Sequence, residues 1–315
     1  MGKASRAKQD GSTRRQKIAA QQAAARRAEV RNRVLMFAGV VVVIIAVVVG
    51  LVVFKANNKP QASTAGGVSN GPTGAALSSV VTDTTSVPSS TLDKVGAGSG
   101  LLPSGLPQTV KGAAAPLTSG GKPEMLYMGA EYCPYCAAER WAMVVALSRF
   151  GTFSGLSTVH SGNNTGEVFP NTATYTFDKS TYTSKYLTFT PVEMQTNIPA
   201  QTANGLSYTT LQTPTTAQQA LLTKYDAPPY STTSGSIPFI DFGNKYVLVG
   251  SSYSPQVLQG QSWSQIGAAL KDPNSPIAKA VDGTANYLTA AICKLTGNQP
   301  ASACTPVVQQ LEAKI

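Results

Sequence analysis

The sequence predicts an α/β domain held behind one transmembrane helix, and three observations carry that expectation. Residues 34–54 are an uncharged apolar run, VLMFAGVVVVIIAVVVGLVVF. Residues 124–130 form a short apolar segment that leads straight into Cys133-Pro134-Tyr135-Cys136 and then into a stretch with helical spacing. Further on, Ile237-Pro238 opens a pair of strand-like runs around Gly243-Asn244.

The apolar run spans about 31 Å as a helix, close to the hydrocarbon thickness of a bilayer. A buried core helix is the plainer alternative, but the segment is apolar on every face and lies between two polar stretches. A cleaved signal peptide is the other rival. Against it stand the length of the run, the long basic region before it and the lack of a small-residue cleavage site. Residues 1–33 hold ten Lys or Arg against Asp10 and Glu29, which leaves +8 of the chain's formal +10 in this tail. Only Lys55 and Lys59 follow the run within the next twenty residues. The positive-inside rule then puts residues 1–33 in the cytoplasm and everything after residue 54 outside, in a single-pass plasma-membrane protein. The body is nearly neutral and carries no base- or phosphate-reading motif, so nucleic acid is not an expected partner. Residues 14–33 suit a basic helix that attracts anionic headgroups, or serve only as a topology signal.

Beyond the membrane the chain divides into two parts. Residues 55–90 are dominated by small and polar residues and read as a flexible, low-complexity tether. Residues 91–315 form the extracytoplasmic domain, with an irregular opening segment around Leu92, Val95, Leu101, Leu106 and Val110. A buried strand is expected over residues 124–130, a helix after Cys136 carrying Trp141, Val144, Val145, Leu147 and Phe150, and a second strand over residues 156–160. Residues 161–210 are rich in Thr, Asn and Tyr with strand-like pieces, and a helix follows over residues 217–225. Two strands flank the Gly243-Asn244 turn. Ser254-Pro255 starts a further helix that Gly260 can break. A helical stripe from Ile277 to Leu295 ends at Gly297, and Thr305-Pro306 begins a last short helix.

Strand, Cys-x-x-Cys and amphipathic helix together make a cysteine pair redox-active. The first thiol, Cys133, faces unpaired N–H groups and the positive end of the helix dipole, which favour its thiolate. Cys136, one turn on, can resolve a mixed disulfide formed at Cys133. Two other readings compete: a purely structural disulfide, and half of a zinc site. Zinc needs two more ligands, and Cys293 and Cys304 are spaced unlike a second knuckle, with His160 the sole histidine.

The turn Ala130-Glu131-Tyr132-Cys133-Pro134-Tyr135-Cys136 resembles the active-site turn of thioredoxin-fold proteins, and Ile237-Pro238 resembles that fold's cis-proline. The longer stretches GAEYCPYCAAERWAMVVALSRFGTFSGL and IPFIDFGNKYVL, with the C-terminal cysteine pair, are similar to a membrane-anchored thioredoxin-like family known only as a domain of unknown function. The resemblance covers about residues 124–272. It implies Cys133, Cys136 and Pro238 as the catalytic set, and an insertion over residues 161–210 that is either a client-binding surface or decoration. It also exposes a departure: the buried acid of thioredoxins aligns with Tyr127. Glu131 and Glu139 lie nearby, but both read as solvent-facing.

Cys293 and Cys304 end and precede helices, with Gly297 and Pro300 between, and read as a structural staple formed in an oxidising compartment. A second redox pair relaying electrons to Cys133 and Cys136 is the rival reading. The expected function is a membrane-tethered thiol–disulfide oxidoreductase that acts on cysteine-containing envelope proteins. A redox partner in the membrane is a further expected contact; no metal, nucleotide or other cofactor is expected. The alternative is a thioredoxin-fold scaffold with no catalysis. Exposure of Cys133 separates the two, because an enzyme needs an accessible first sulfur and a scaffold buries both.

Overall fold

Side chains alternate between two cores along the central strand. Met125 and Tyr127 belong to one cluster and Leu126 and Met128 to another, so both faces of the sheet are covered. The computed structural model describes residues 71–315 apart from 103, 113, 165, 203 and 204. The basic tail and the expected membrane helix at 34–54 lie outside the described residues. Among the described residues no helix is long and apolar enough to cross a membrane.

The described chain opens with helices α1 (Gly74–Thr85) and α2 (Ser89–Val95). These correct the expected tether, which is structured from Gly74 onward. Val80 and Thr84 are buried, and Thr84 Oγ1 lies 2.7 Å from Tyr175 Oη, so a segment of small residues gains order by packing on the domain. The same packing explains α2 where the sequence suggested an irregular segment, since Leu92 is 1% exposed.

Strands β1 (Gln108–Thr109), β2 (Thr118–Ser119) and β3 (Lys122–Gly129) follow, and then helix α3 (Pro134–Ser148). The next strands are β4 (Gly151–Ser154), β5 (Ser157–His160), β6 (Ala173–Thr176), β7 (Thr181–Ser184), β8 (Thr188–Glu193), β9 (Gln195–Thr202) and β10 (Gly205–Thr210). Helix α4 (Thr216–Tyr225) starts on a capping box made by Thr215 and Gln218. Strands β11 (Phe239–Phe242) and β12 (Tyr246–Val249) come next, then α5 (Trp263–Ala269), α6 (Pro276–Thr296) and α7 (Pro306–Leu311).

The main sheet runs β1-β12-β11-β3, with β2 and β8 on the far side of β3, and is mixed: β8 is parallel to β3 while the other pairs are antiparallel. The expected hairpin at Gly243-Asn244 is present: Phe242 pairs with Tyr246 across a three-residue loop whose first two residues have positive φ (65° and 57°). Helices α3 and α6 pack on one face; α4 supplies Leu222 and Tyr225 to the other. One expectation is corrected here. The segment 161–210 is not wholly an insertion, because β8 is a strand of the main sheet in register with β3, Gly129 facing Glu193. The strand at 157–160 instead pairs with β6 in a sheet of its own.

Candidate functional site

The site forms where β3 ends and α3 begins. Met125, Tyr127 and Met128 are fully buried, so the strand cannot turn until it leaves the core, and the chain bends through Ala130, Glu131 and Tyr132. Cys133 is the N-cap of α3 and Pro134 its first helical residue, where the missing N–H costs nothing. Cys133 Sγ therefore sits where a capping oxygen would, accepting from Cys136 N–H at 3.4 Å.

The two thiols are pushed apart. A hydrogen bond with Cys136 holds the Cys133 thiol below the usual range against the opposing effect of burial, helped by the N–H groups of Cys136 and Tyr135 and by Arg140. Burial drives Cys136 well above its ordinary value, and its neighbour Cys133 adds to the rise. Cys133 is 5% exposed and Cys136 is 0% exposed. The accessible first sulfur required of an enzyme is thus reduced to a narrow window. One wall is the loop before β11: the Ile237–Pro238 bond is cis, and Cys133 Sγ lies 3.8 Å from Ile237 O. The fold brings Cys133, Cys136 and the Pro238 loop together.

Beneath the cysteines lies an ion pair that the motif reading missed. Arg140, one turn beyond Cys136 on α3, donates through Nε and Nη2 to the two carboxylate oxygens of Glu193 at 2.8 and 2.7 Å. Nη2 also donates to Ala130 O at 2.8 Å, in the turn before Cys133. Both residues are 0% exposed. A charged residue four places after Cys136, beside Glu139 and at the edge of the apolar run that starts at Trp141, was the available signal for Arg140. Nothing local marked Glu193 as its partner.

Glu131 and Glu139 are not solvent-facing. Glu139 is fully buried, accepts from Ser252 N–H and Oγ, and has its carboxyl pushed up to about 7 by burial. Glu131 is 7% exposed and its carboxyl is likewise raised by burial. Aromatic rings surround the motif: Tyr132 stacks on Tyr208 of β10 at 4.3 Å, and Tyr135, which is partly exposed, meets Phe169 edge-on at 6.1 Å. Cys293 and Cys304 stand apart from this site as a disulfide linking the end of α6 to the loop before α7.

Fold and site together define a mixed α/β protein with a cysteine pair at a helix N-terminus over a buried ion pair. Residues 108–294 match the family model described as "Domain of unknown function (DUF929)", and the chain belongs to that family. No curated protein and no solved structure matches it.

Proposed function

We propose that this protein is a membrane-tethered thiol–disulfide oxidoreductase of thioredoxin-like design that works outside the cytoplasm on cysteine-containing envelope proteins. The observation that carries the reading is the opposite treatment of two thiols one helical turn apart. Cys133 caps a helix whose free N–H groups favour its anion, and Cys136 is shielded and held as a thiol. That is the division of labour that nucleophilic attack and later resolution require. The strand order β12-β11-β3-β8, with the cysteine helix after β3 and a cis-proline before β11, supports the thioredoxin-like assignment. Tyr135 and the exposed Val168 beside Phe169 offer an apolar rim to a polypeptide client. A disulfide at Cys293–Cys304 fits an oxidising compartment, as does the basic tail preceding residues 34–54.

Trapping tests the reading. In the full-length protein carrying Cys136→Ala, mixed disulfides with envelope proteins should accumulate at Cys133 and disappear on reduction. A variant that captures nothing, with Cys133 titrating at or above an ordinary free thiol, would favour the second reading, a thioredoxin-like scaffold. That alternative draws on the near-complete burial of Cys133. Topology is tested separately: Ser63→Cys should react with an impermeant maleimide on intact cells, and labelling only after lysis reverses the assignment.

A further inference from the structure

The buried polar groups behind Cys136 include two donors with no acceptor. Tyr127 Oη and Arg140 Nη1 are both enclosed and unpaired. Buried donors are nearly always satisfied, so two orphans in one place call for an explanation. Their position supplies it. A side chain at Gly129 would collide with Tyr127 Oη and would stand 3.1 Å from Cys136 Sγ, so hydroxyl and sulfur flank the same glycine. The Arg140 guanidinium lies 5.9 Å from the centre of the Tyr127 ring. The charged and titratable groups facing Cys136 are Cys133 and Arg140; those facing Tyr127 are Arg140, Cys136, Glu193 and Cys133. Both Glu193 oxygens are already engaged: Arg140 donates to each, and Phe177 N–H donates to Oε1 at 3.2 Å. Tyr127, wholly buried, is held as a neutral phenol by that burial and so keeps a proton to donate.

We infer that Tyr127 is a catalytic residue whose hydroxyl donates to the Cys136 sulfur when that sulfur becomes an anion, with Arg140 supplying the charge and Glu193 holding Arg140 in place. The inference rests on the oxidoreductase reading. In its dithiol form the protein attacks a client disulfide. The Cys133 thiolate bonds one client sulfur, the client S–S bond breaks, and the other client sulfur leaves as a thiolate. Cys136 then loses its proton and attacks Cys133 Sγ. The Cys133–Cys136 bond forms, the mixed disulfide breaks, and the second client sulfur leaves. The cysteine pair gives up two electrons, the client disulfide gains them, and the protons end on the client thiols. Only the second attack places negative charge on Cys136, and that charge gives Tyr127 Oη the acceptor it lacks.

The test uses the reduced full-length protein in detergent and the chromogenic disulfide 5,5′-dithiobis(2-nitrobenzoate), which releases one thiolate on attack by Cys133 and a second on resolution by Cys136. Tyr127→Phe removes a single unpaired hydroxyl. It should leave the first release within about twofold, slow the second by about tenfold or more, and move the pH midpoint of the second phase upward. A second phase with unchanged rate and midpoint overturns the inference and leaves the oxidoreductase reading intact. If the wild-type protein shows no first phase near neutral pH, the oxidoreductase reading itself falls, and this inference with it.

Discussion

The chain holds two cysteine pairs whose surroundings differ in what their hydrogen-bond donors do. At Cys133 the free N–H groups of a helix start point at sulfur, and a buried guanidinium lies one turn away. At Cys293 and Cys304 the donors are spent on carbonyl oxygens. Asn298 N–H goes to Cys293 O, Cys304 N–H goes to Pro300 O, and Arg149 Nη2 donates to Ala303 O at 2.6 Å. Both pairs are buried, so burial does not distinguish them. What separates them is where the donors point: Cys136 N–H faces Cys133 Sγ in the first pair, and the donors named at the second face carbonyl oxygens.

The comparison can be broken at its strongest point first. Arg140→Met strands Glu193 as an unpaired buried charge and should cost about 3–5 kcal/mol of stability, read as a fall in the urea midpoint. A loss below about 1 kcal/mol would mean that the ion pair is not held buried under the first pair. Next in size is the staple. Cys293→Ala with Cys304→Ala should cost roughly 3 kcal/mol in the chain-entropy picture, since the loop it closes is short. Cys133→Ser with Cys136→Ser should cost about 1 kcal/mol or less. Equal losses would erase the division into a reactive pair and a structural one.

Reactivity gives the sharper measure. In the reduced protein near neutral pH, Cys133 should alkylate with iodoacetamide at least about tenfold faster than Cys136. Converging rates would show that the helix start does not act on the first sulfur. A pH effect concerns the helices that carry the two pairs, α3 and α6, each of which buries a carboxyl. Glu139 is pushed up to about 7 and Asp282 to about 8, both by burial, and neither oxygen of Asp282 has a partner. Between the ordinary values in the unfolded chain, 4.5 and 3.8, and these folded values, the native state binds more protons. Stability should therefore fall as pH rises from about 4.5 to about 8, on the order of 1 kcal/mol per pH unit for each group titrating. Asp282→Asn should flatten the upper part of that fall, and thermal melts across the range would detect it.

Much of the fold was legible because local signals agreed with the tertiary outcome. The apolar run at residues 124–130, the Gly243-Asn244 turn and the stripe from Ile277 to Leu295 each carry their own periodicity or backbone demand. Helix α1 was not legible: its small and Thr-rich residues bury little alone, and it is ordered by contacts such as Thr84 with Tyr175, far away in sequence. The cysteine site was half visible. Cys133, Cys136 and Pro238 announce themselves by motif, whereas Arg140 and Glu193 come from segments whose pairing depends on the β3–β8 register. Solvent-facing readings of Glu131 and Glu139 failed because a charged residue on a helix or turn carries no mark of what will later cover it.

The placement of Glu193 bears on how the molecule can be cut down. The stretch between the cysteine helix and the cis-proline looks removable on a length argument alone. Yet Thr174 Oγ1 donates to Ala137 O at 2.8 Å, Trp141 Nε1 donates to Ala173 O at 2.9 Å, and Glu193 holds the arginine beneath the motif. A minimised version lacking residues 161–210 would lose a strand of the main sheet and leave a bare cation under the Cys133–Cys136 turn. The added segment is therefore a buttress that the cysteine turn leans on.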